Sequence, residues 1–333
     1  MANVAPTPKA VALVLLPATV LMLAFAFSYV GAFHDPTPHQ VPVAVVGPPA
    51  VAVKLNHLPG DPLDTRQAAS RSDALSQIDD RQVYGAYDAG PNRLFVASAA
   101  NRAAAIALER TFDRIAAAQR RPAVRVTDVK PLPRKDPNGT AAFYAMIAWV
   151  FGGYIGATLI GLIGNPRSRS KQRAAARIGA LAWFGIVAGI LSVVLLRASF
   201  GVFSGHVVAM CAIAALTVFA SGAATAGIQA AIGPAGTGLV ILVFVILGNS
   251  ASGGPFARPL LPGPWRTIGG VLPPGASVDL ARSALFFDGV RIAGPILVLV
   301  GWAALGAVLA LALGGRIMDP VDAEAAVAAG AAV

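Results

Sequence analysis

The sequence predicts an α-helical membrane protein with six transmembrane helices and an extracytoplasmic α/β domain between the first and second. Three observations lead there. The 333-residue chain is 56% hydrophobic and only 13% charged, with a mean hydropathy of +0.67, outside the range of soluble globular domains. Its acids are segregated, since no Asp or Glu occurs from Pro137 through Val278 while most lie between Asp35 and Asp136. Uncharged apolar runs of span length recur on both sides of that acidic region.

The first run, Ala10 to Ala32, follows Lys9 and carries no charge. As a helix it is about 34 Å long, enough to cross the hydrocarbon layer and longer than the apolar part of a secretory signal. It is expected to be a retained helix, with Pro17 as a kink site. Residues 33–138 then change character and make a soluble domain of ordinary size. "VPVAVVG", "QVYGAYDAG", "RLFVASA" and "AVRVTDV" read as strands, punctuated by Gly47-Pro48 and Gly90-Pro91-Asn92. The clearest helix is Asn101 to Gln119, where Asn101 can cap and Leu108, Phe112 and Ile115 share a face. Strands alternating with helices imply an α/β layer structure.

Uncharged runs resume at 139–164, 178–196, 207–223, 228–248 and 292–314, which with 10–32 makes six spans. The fourth and fifth are separated only by "GAATAGIQAAIGPAG", so one long broken helix there remains open; it would give five spans and reverse the carboxyl end.

Residues Gly164 to Ala180, "GNPRSRSKQRAAARIGA", hold Arg167, Arg169, Lys171, Arg173 and Arg177 and no acid. Short loops rich in Lys and Arg stay on the cytoplasmic side, whereas long domains translocate largely regardless of charge. That places residues 1–9 and 315–333 inside, the α/β domain and the Arg258 to Arg291 loop outside, and the protein in the cell (inner) membrane as a multi-pass chain. The arginines of that outer loop are partly offset by Asp279 and Asp288, each three residues before Arg282 or Arg291 and able to pair on a helix face.

Catalytic signatures are not found: there is no phosphate loop, no H-E-x-x-H and no G-x-S-x-G. "GPAGTG" at Gly233 lies inside an apolar run with no β-α unit and reads as helix flexibility. His34, His39 and His57 are separated by prolines and do not form a ligand set, His206 reads as an interfacial residue, and Cys211 as a small core residue. The chain is expected not to be an enzyme, to need no cofactor or metal, and to bind no nucleic acid, because its cations sit between apolar runs where membrane lipids are the partners. No carboxylate or basic side chain falls inside the six runs, which argues against a proton- or sodium-coupled carrier. Gly152, Gly156 and Gly164 share one helix face and Gly153, Ala157 and Gly161 the next, spacing suited to bundling or to a dimer interface.

The segment 250–288 is too interrupted by Pro and Gly to cross the bilayer, yet "LLPGPWRTIGGVLPPG" and "ASVDLARSALFF" can each form a short helix at the outer membrane face. With the amino-terminal span, the large outer domain and the "DPNG" lead-in to the second span, the run "SGGPFARPLLPGPWRTIGGVLPPGASVDLARS" resembles type-2 ABC exporter permeases, most of all the actinobacterial-type branch related to the phage-infection protein family. The likeness of motif is confined to about Gly248 to Phe287. The resemblance implies six spans, a homo- or heterodimer and a separate ABC ATPase docking on cytoplasmic loops. It puts the ATPase contact at Asn165, Arg167, Arg169, Lys171, Arg173 and Arg177. It puts the exit helices at Leu260 to Leu272 and Ala276 to Phe287, a re-entrant segment with Pro262, Trp265, Arg266, Pro273, Pro274, Asp279 and Arg282. One departure is that only "MANVAPTPK" precedes the first span, where the pattern has an amphipathic helix. The function expected is export of a hydrophobic or amphiphilic substance. The alternative is a non-transporting envelope or secretion-associated protein whose outer domain binds a cell-envelope component or a protein.

Overall fold

The computed structural model describes residues 8–315; residues 1–7 and 316–333, the bulk of the two expected terminal tails, lie outside the described residues. Helix α1 (Pro8–Phe33) contains Pro17 and delivers the chain to a five-stranded sheet. Strands β1 (Val41–Val46), β2 (Leu63–Ala68), β3 (Gly85–Asp88), β4 (Arg93–Val96) and β5 (Arg125–Asp128) lie in the order β2-β1-β3-β4-β5. All neighbours are parallel except the β3-β4 hairpin.

Alternation along β1 explains the layers. Val41, Val43 and Val45 face α2 (Pro49–Asn56) and α4 (Arg102–Ala118), packing with Leu55, Leu108 and Phe112. Ala44 faces the other way, onto Ala74 and Ile78 of α3 (Arg71–Asp79). Helix α4 forms as its sequence predicts: the Asn101 side chain accepts from the Ala104 N–H at 3.0 Å, and Leu108 and Phe112 are buried. Strand β2, "LDTRQA", is not foreseen by hydrophobic alternation. It is an edge strand whose inner residues are only Leu63 and Ala68.

Among the described residues five helices are long and apolar enough to cross a membrane: α1, α5 (Ala141–Gly164), α6 (Lys171–Phe200), α7 (Val207–Ile232) and α12 (Ala293–Leu313). Helix α7 runs on through Ile232, across the gap at 224–227 left between the expected fourth and fifth runs, and is ended by Gly233, whose φ is +69°, and Pro234. Beyond it, α8 (Ala235–Val240), a π-helical stretch (Ile241–Gly248) and α9 (Asn249–Ala251) make one shorter apolar helix, Ala235–Ala251.

Helix α7 is the hub. A Cβ on Gly153 of α5 would lie 2.4 Å from the Val218 oxygen, one on Gly189 of α6 2.6 Å from the Ala215 nitrogen, and one on Gly306 of α12 2.2 Å from the Ala223 oxygen. Three neighbours therefore meet the α7 backbone directly, the close approach by which apolar helices associate without a hydrophobic driving force. The packing register on α5 is one residue on from Gly152: Gly153, Ala157 and Gly161 are buried. Gly152 and Gly164 have open space where a Cβ would stand, and Gly156 meets the Phe184 ring of α6.

Between α9 and α12 the chain folds back in short pieces: a 3₁₀ turn (Arg258–Leu260), α10 (Gly263–Ile268), a second 3₁₀ turn (Gly269–Val271) and α11 (Pro273–Phe286). This agrees with two short helices in that segment. A Cβ on Gly269 would fall 1.9 Å from the Ala251 oxygen and one on Gly275 1.8 Å from the Gly269 oxygen, so the doubled-back backbone admits no side chain there.

Candidate functional site

Two polar assemblies flank the helical core. At the α5–α6 turn, Ser170 caps α6 by accepting from the Arg173 N–H at 3.2 Å. One turn on, Arg177 points inward and is 6% exposed. Its Nη1 donates to the Pro166 carbonyl at 2.8 Å and its Nη2 to the Ala157 carbonyl at 2.8 Å and to Oε1 of Gln229. Gln229 in turn donates through Nε2 to Oγ1 of Thr237 at 2.7 Å and of Thr158 at 3.2 Å. One guanidinium thus ties the turn to α5 and α7, and Gln229 extends the link to α8.

That corrects two expectations. Arg177 is not a surface docking group, and a basic side chain does enter the helical core, because α6 starts at Lys171 rather than near 178 and its first turns carry Arg177 to the inward face. The rest of the cluster divides. Arg169, Lys171 and Arg173 are exposed. Arg167 lies against Gly233, its Cζ 3.4 Å from where a Cβ would stand, and the Arg167 N–H donates to Oδ1 of Asn165 at 2.9 Å. The Gly315 N–H donates to the Ser168 carbonyl at 2.9 Å, bringing the end of α12 to the same place.

The second assembly joins the folded-back segment to the α/β layer. Asp279 pairs with Arg258 at 2.6 Å and with Arg81 at 3.5 Å, and Arg81 also donates to Ser283 Oγ. Arg282 does not pair with Asp279 as expected from spacing. It is buried, and its guanidinium donates to the carbonyls of Gly253, at 2.6 Å, and Gly254. The Asn101 side chain donates to the same two carbonyls at 3.4 and 3.2 Å. The Gly253-Gly254 peptide has no helical partners for its carbonyls, so a cation and an amide supply them. Burial pulls Arg282 down to about 10, with Asp279 opposing, so it stays protonated at neutral pH. Burial acts most strongly against the charge on Arg258, but Asp279 and, with a smaller contribution, Tyr84 together outweigh it and hold Arg258 above its ordinary value. Arg291 donates to the Arg81 carbonyl at 3.2 Å.

Other residues of the segment have packing roles. Trp265 donates to Ser28 Oγ of α1 at 3.0 Å and covers Gly31. Pro273 and Pro274 are buried at the start of α11, with Pro274 against Gly248, while Pro262 and Arg266 are half-buried on α10's flank. The π-helical stretch leaves carbonyls that outside hydroxyls meet: Ser28 Oγ on Ile246 at 3.1 Å and Tyr29 OH on Val245 at 3.3 Å.

Alongside α11, an apolar groove of about 550 Å³ runs between α7 and α12, walled by Ile213, Leu216, Leu280, Ile292 and Ile296, with His206 and Asp288 at its rim. Among the described residues no three His, Cys, Asp or Glu side chains come together as metal ligands.

The family model of ABC-2 family transporter proteins matches residues 10–312, nearly the whole chain. The chain belongs to this family. No curated protein and no solved structure matches it. ABC-2 family proteins are membrane permease subunits that normally work with an ATPase partner, and the long apolar helices of this member fit a multi-pass membrane protein.

Sequence reasoning missed Gln229, Asn101 and Arg81. Gln229 had a signal, as the one amide in the apolar stretch Val207–Gly248. The sequence marks Asn101 only as a cap, and its second role, toward the Gly253 and Gly254 carbonyls, is long-range.

Proposed function

We propose that this ABC-2 protein is the membrane subunit of an exporter of a hydrophobic or amphiphilic substance, driven by a separate ATPase that docks on the Asn165–Lys171 turn and the first turn of α6. Arg169, Lys171 and Arg173 offer the contact and Arg177 the mechanical link. The observation that carries this reading is the Arg177 guanidinium, which grips the Pro166 carbonyl of the turn together with Ala157 and Gln229 of the core. A push on the turn reaches α5 and α7 through one side chain, and α8 through Gln229.

In this reading the basic turn is cytoplasmic, the α/β layer lies outside, and Ala235–Ala251 is the fifth of six spans. The folded-back segment sits at the exit, beside the groove between α7 and α12, whose apolar walls suit an acyl or ring-bearing substance. Two copies, or this chain and a related one, form the working unit. The Gly248 to Phe287 motif supports a place in the branch related to the phage-infection protein.

The test is purification in mild detergent with a charge-preserving shuffle of Arg167 to Arg173. A specific docking surface loses its ATPase on shuffling, whereas cations serving only as anionic-lipid contacts, each worth about 1 kcal/mol, do not distinguish the order.

A further inference from the structure

The α/β layer has a crevice to which the proposed export gives no role. In the order β2-β1-β3 the chain leaves β1 through α2 on one face and returns past it through α3 on the other. The carboxyl ends of β1 and β3 are therefore a topological switch point, where parallel α/β sheets leave an opening that neither crossover covers. A crevice of about 420 Å³ lies there, bounded by Pro48 just after β1 and by Ala89 and Gly90 just after β3. Volume of this order holds a small organic molecule.

Its walls are divided by chemistry. Tyr87 and Phe112, with ring centroids 4.7 Å apart, make an aromatic floor with Ile115 and Val124 beside it. Lys54 and Arg121 stand at the rim, and none of the described residues lining it is acidic. The Arg121 charge reaches the floor: burial pushes the Tyr87 phenol up, Arg121 pulls it back, and the Asp88 carboxylate adds a smaller rise. The Tyr87 hydroxyl donates to Asn92 Oδ1 at 3.0 Å and Asn92 donates to the Pro122 carbonyl at 3.3 Å, which fixes the loop leading from Arg121 to β5.

The crevice also points away from the helices. The amino end of β1 rests on the folded-back segment, where the His39 N–H donates to the Pro259 carbonyl at 2.9 Å and Val41 packs in one cluster with Ala257 and Leu260. The opposite, carboxyl end carries the exposed Lys54 and Arg121. A ligand arriving there comes from solution rather than from the bilayer.

We infer that this switch-point crevice is a binding site for a water-soluble organic anion with a planar apolar body, its ring on Tyr87 and Phe112 and its anionic group between Lys54 and Arg121. The site does not depend on the export reading, and its failure would leave that reading intact.

The experiment is equilibrium dialysis of the full chain in lipid nanodiscs against naphthalene-2-sulfonate, with empty nanodiscs subtracted. 2-Naphthol serves as the neutral counterpart. Saturable binding is expected for the native chain, weaker by about tenfold or more for 2-naphthol and for the Lys54→Glu/Arg121→Glu variant. Those two side chains are at the surface, so their reversal leaves the fold in place. A second variant, Val51→Trp, fills the crevice from α2 without changing charge and should also abolish binding. No saturable binding to the native chain, or binding unchanged in both variants, overturns the inference.

Discussion

The Asp279 carboxylate lies 2.6 Å from the Arg258 guanidinium, joining the two ends of the folded-back segment, and the same carboxylate holds Arg81 of the α/β layer at 3.5 Å. Asp279→Asn leaves two largely enclosed arginines without their counter-charge. It should destabilise the protein by about 2 kcal/mol, less than a fully buried pair because Arg258 is partly solvated. Asp288→Asn, at an exposed position, should change stability by less than about 0.5 kcal/mol. Thermal unfolding in detergent separates the two, and equal effects would refute the role given to Asp279.

Close backbone contact on α7 makes a second prediction. Gly306→Ala places a methyl 2.2 Å from the Ala223 oxygen, whereas Gly301 has nothing within 4 Å of its Cβ position. The first substitution should cost about 1–3 kcal/mol and the second should be tolerated. Gly153→Ala and Gly152→Ala form the same kind of pair on α5, one register apart. Unfolding midpoints of the four variants check it.

Arg177→Ala removes the donors to Pro166, Ala157 and Gln229 and should cost about 2–4 kcal/mol, since buried acceptors are left unmet. Arg173→Gln, exposed on the same helix, should leave stability within about 0.5 kcal/mol. Comparable melting of the two variants would return Arg177 to the surface role that its sequence context suggests.

The contrast between those two arginines shows where the sequence is legible. Apolar runs and a β-branched strand such as Val41–Val46 announce themselves, because burial of a whole face or stripe leaves a period in the residues. Asn101 and Leu108 mark α4 for the same local reasons. Strand β2 is polar because an edge strand buries little, so only pairing with β1 identifies it. Arg177 and Arg282 read as surface charges since a sequence displays charge but not the direction of a side chain. Their partners, carbonyls at Ala157 and Gly253, belong to distant backbone that carries no residue-type signal. The one-residue offset from Gly152 to Gly153 has a similar origin: both registers are rich in small residues, and the choice is made by α7.

Orientation is open to direct labelling. Ser170 and Ser70 both cap helices, so reporters are better placed at Gln172 and Ser72, which are exposed. In a Cys211→Ser background, an impermeant thiol reagent added to intact cells should label Ser72→Cys and spare Gln172→Cys. The reverse pattern would invert the proposed topology.

Coupling through the basic turn is tested by purifying the native chain and an Arg169→Gln/Lys171→Gln/Arg173→Gln variant in mild detergent and assaying each for a co-purifying ATP hydrolase. These three side chains are exposed, so the variant should keep its unfolding midpoint while losing the ATPase. An ATPase retained equally by the variant, or none bound to the native chain, would contradict the assignment of this turn as the docking site.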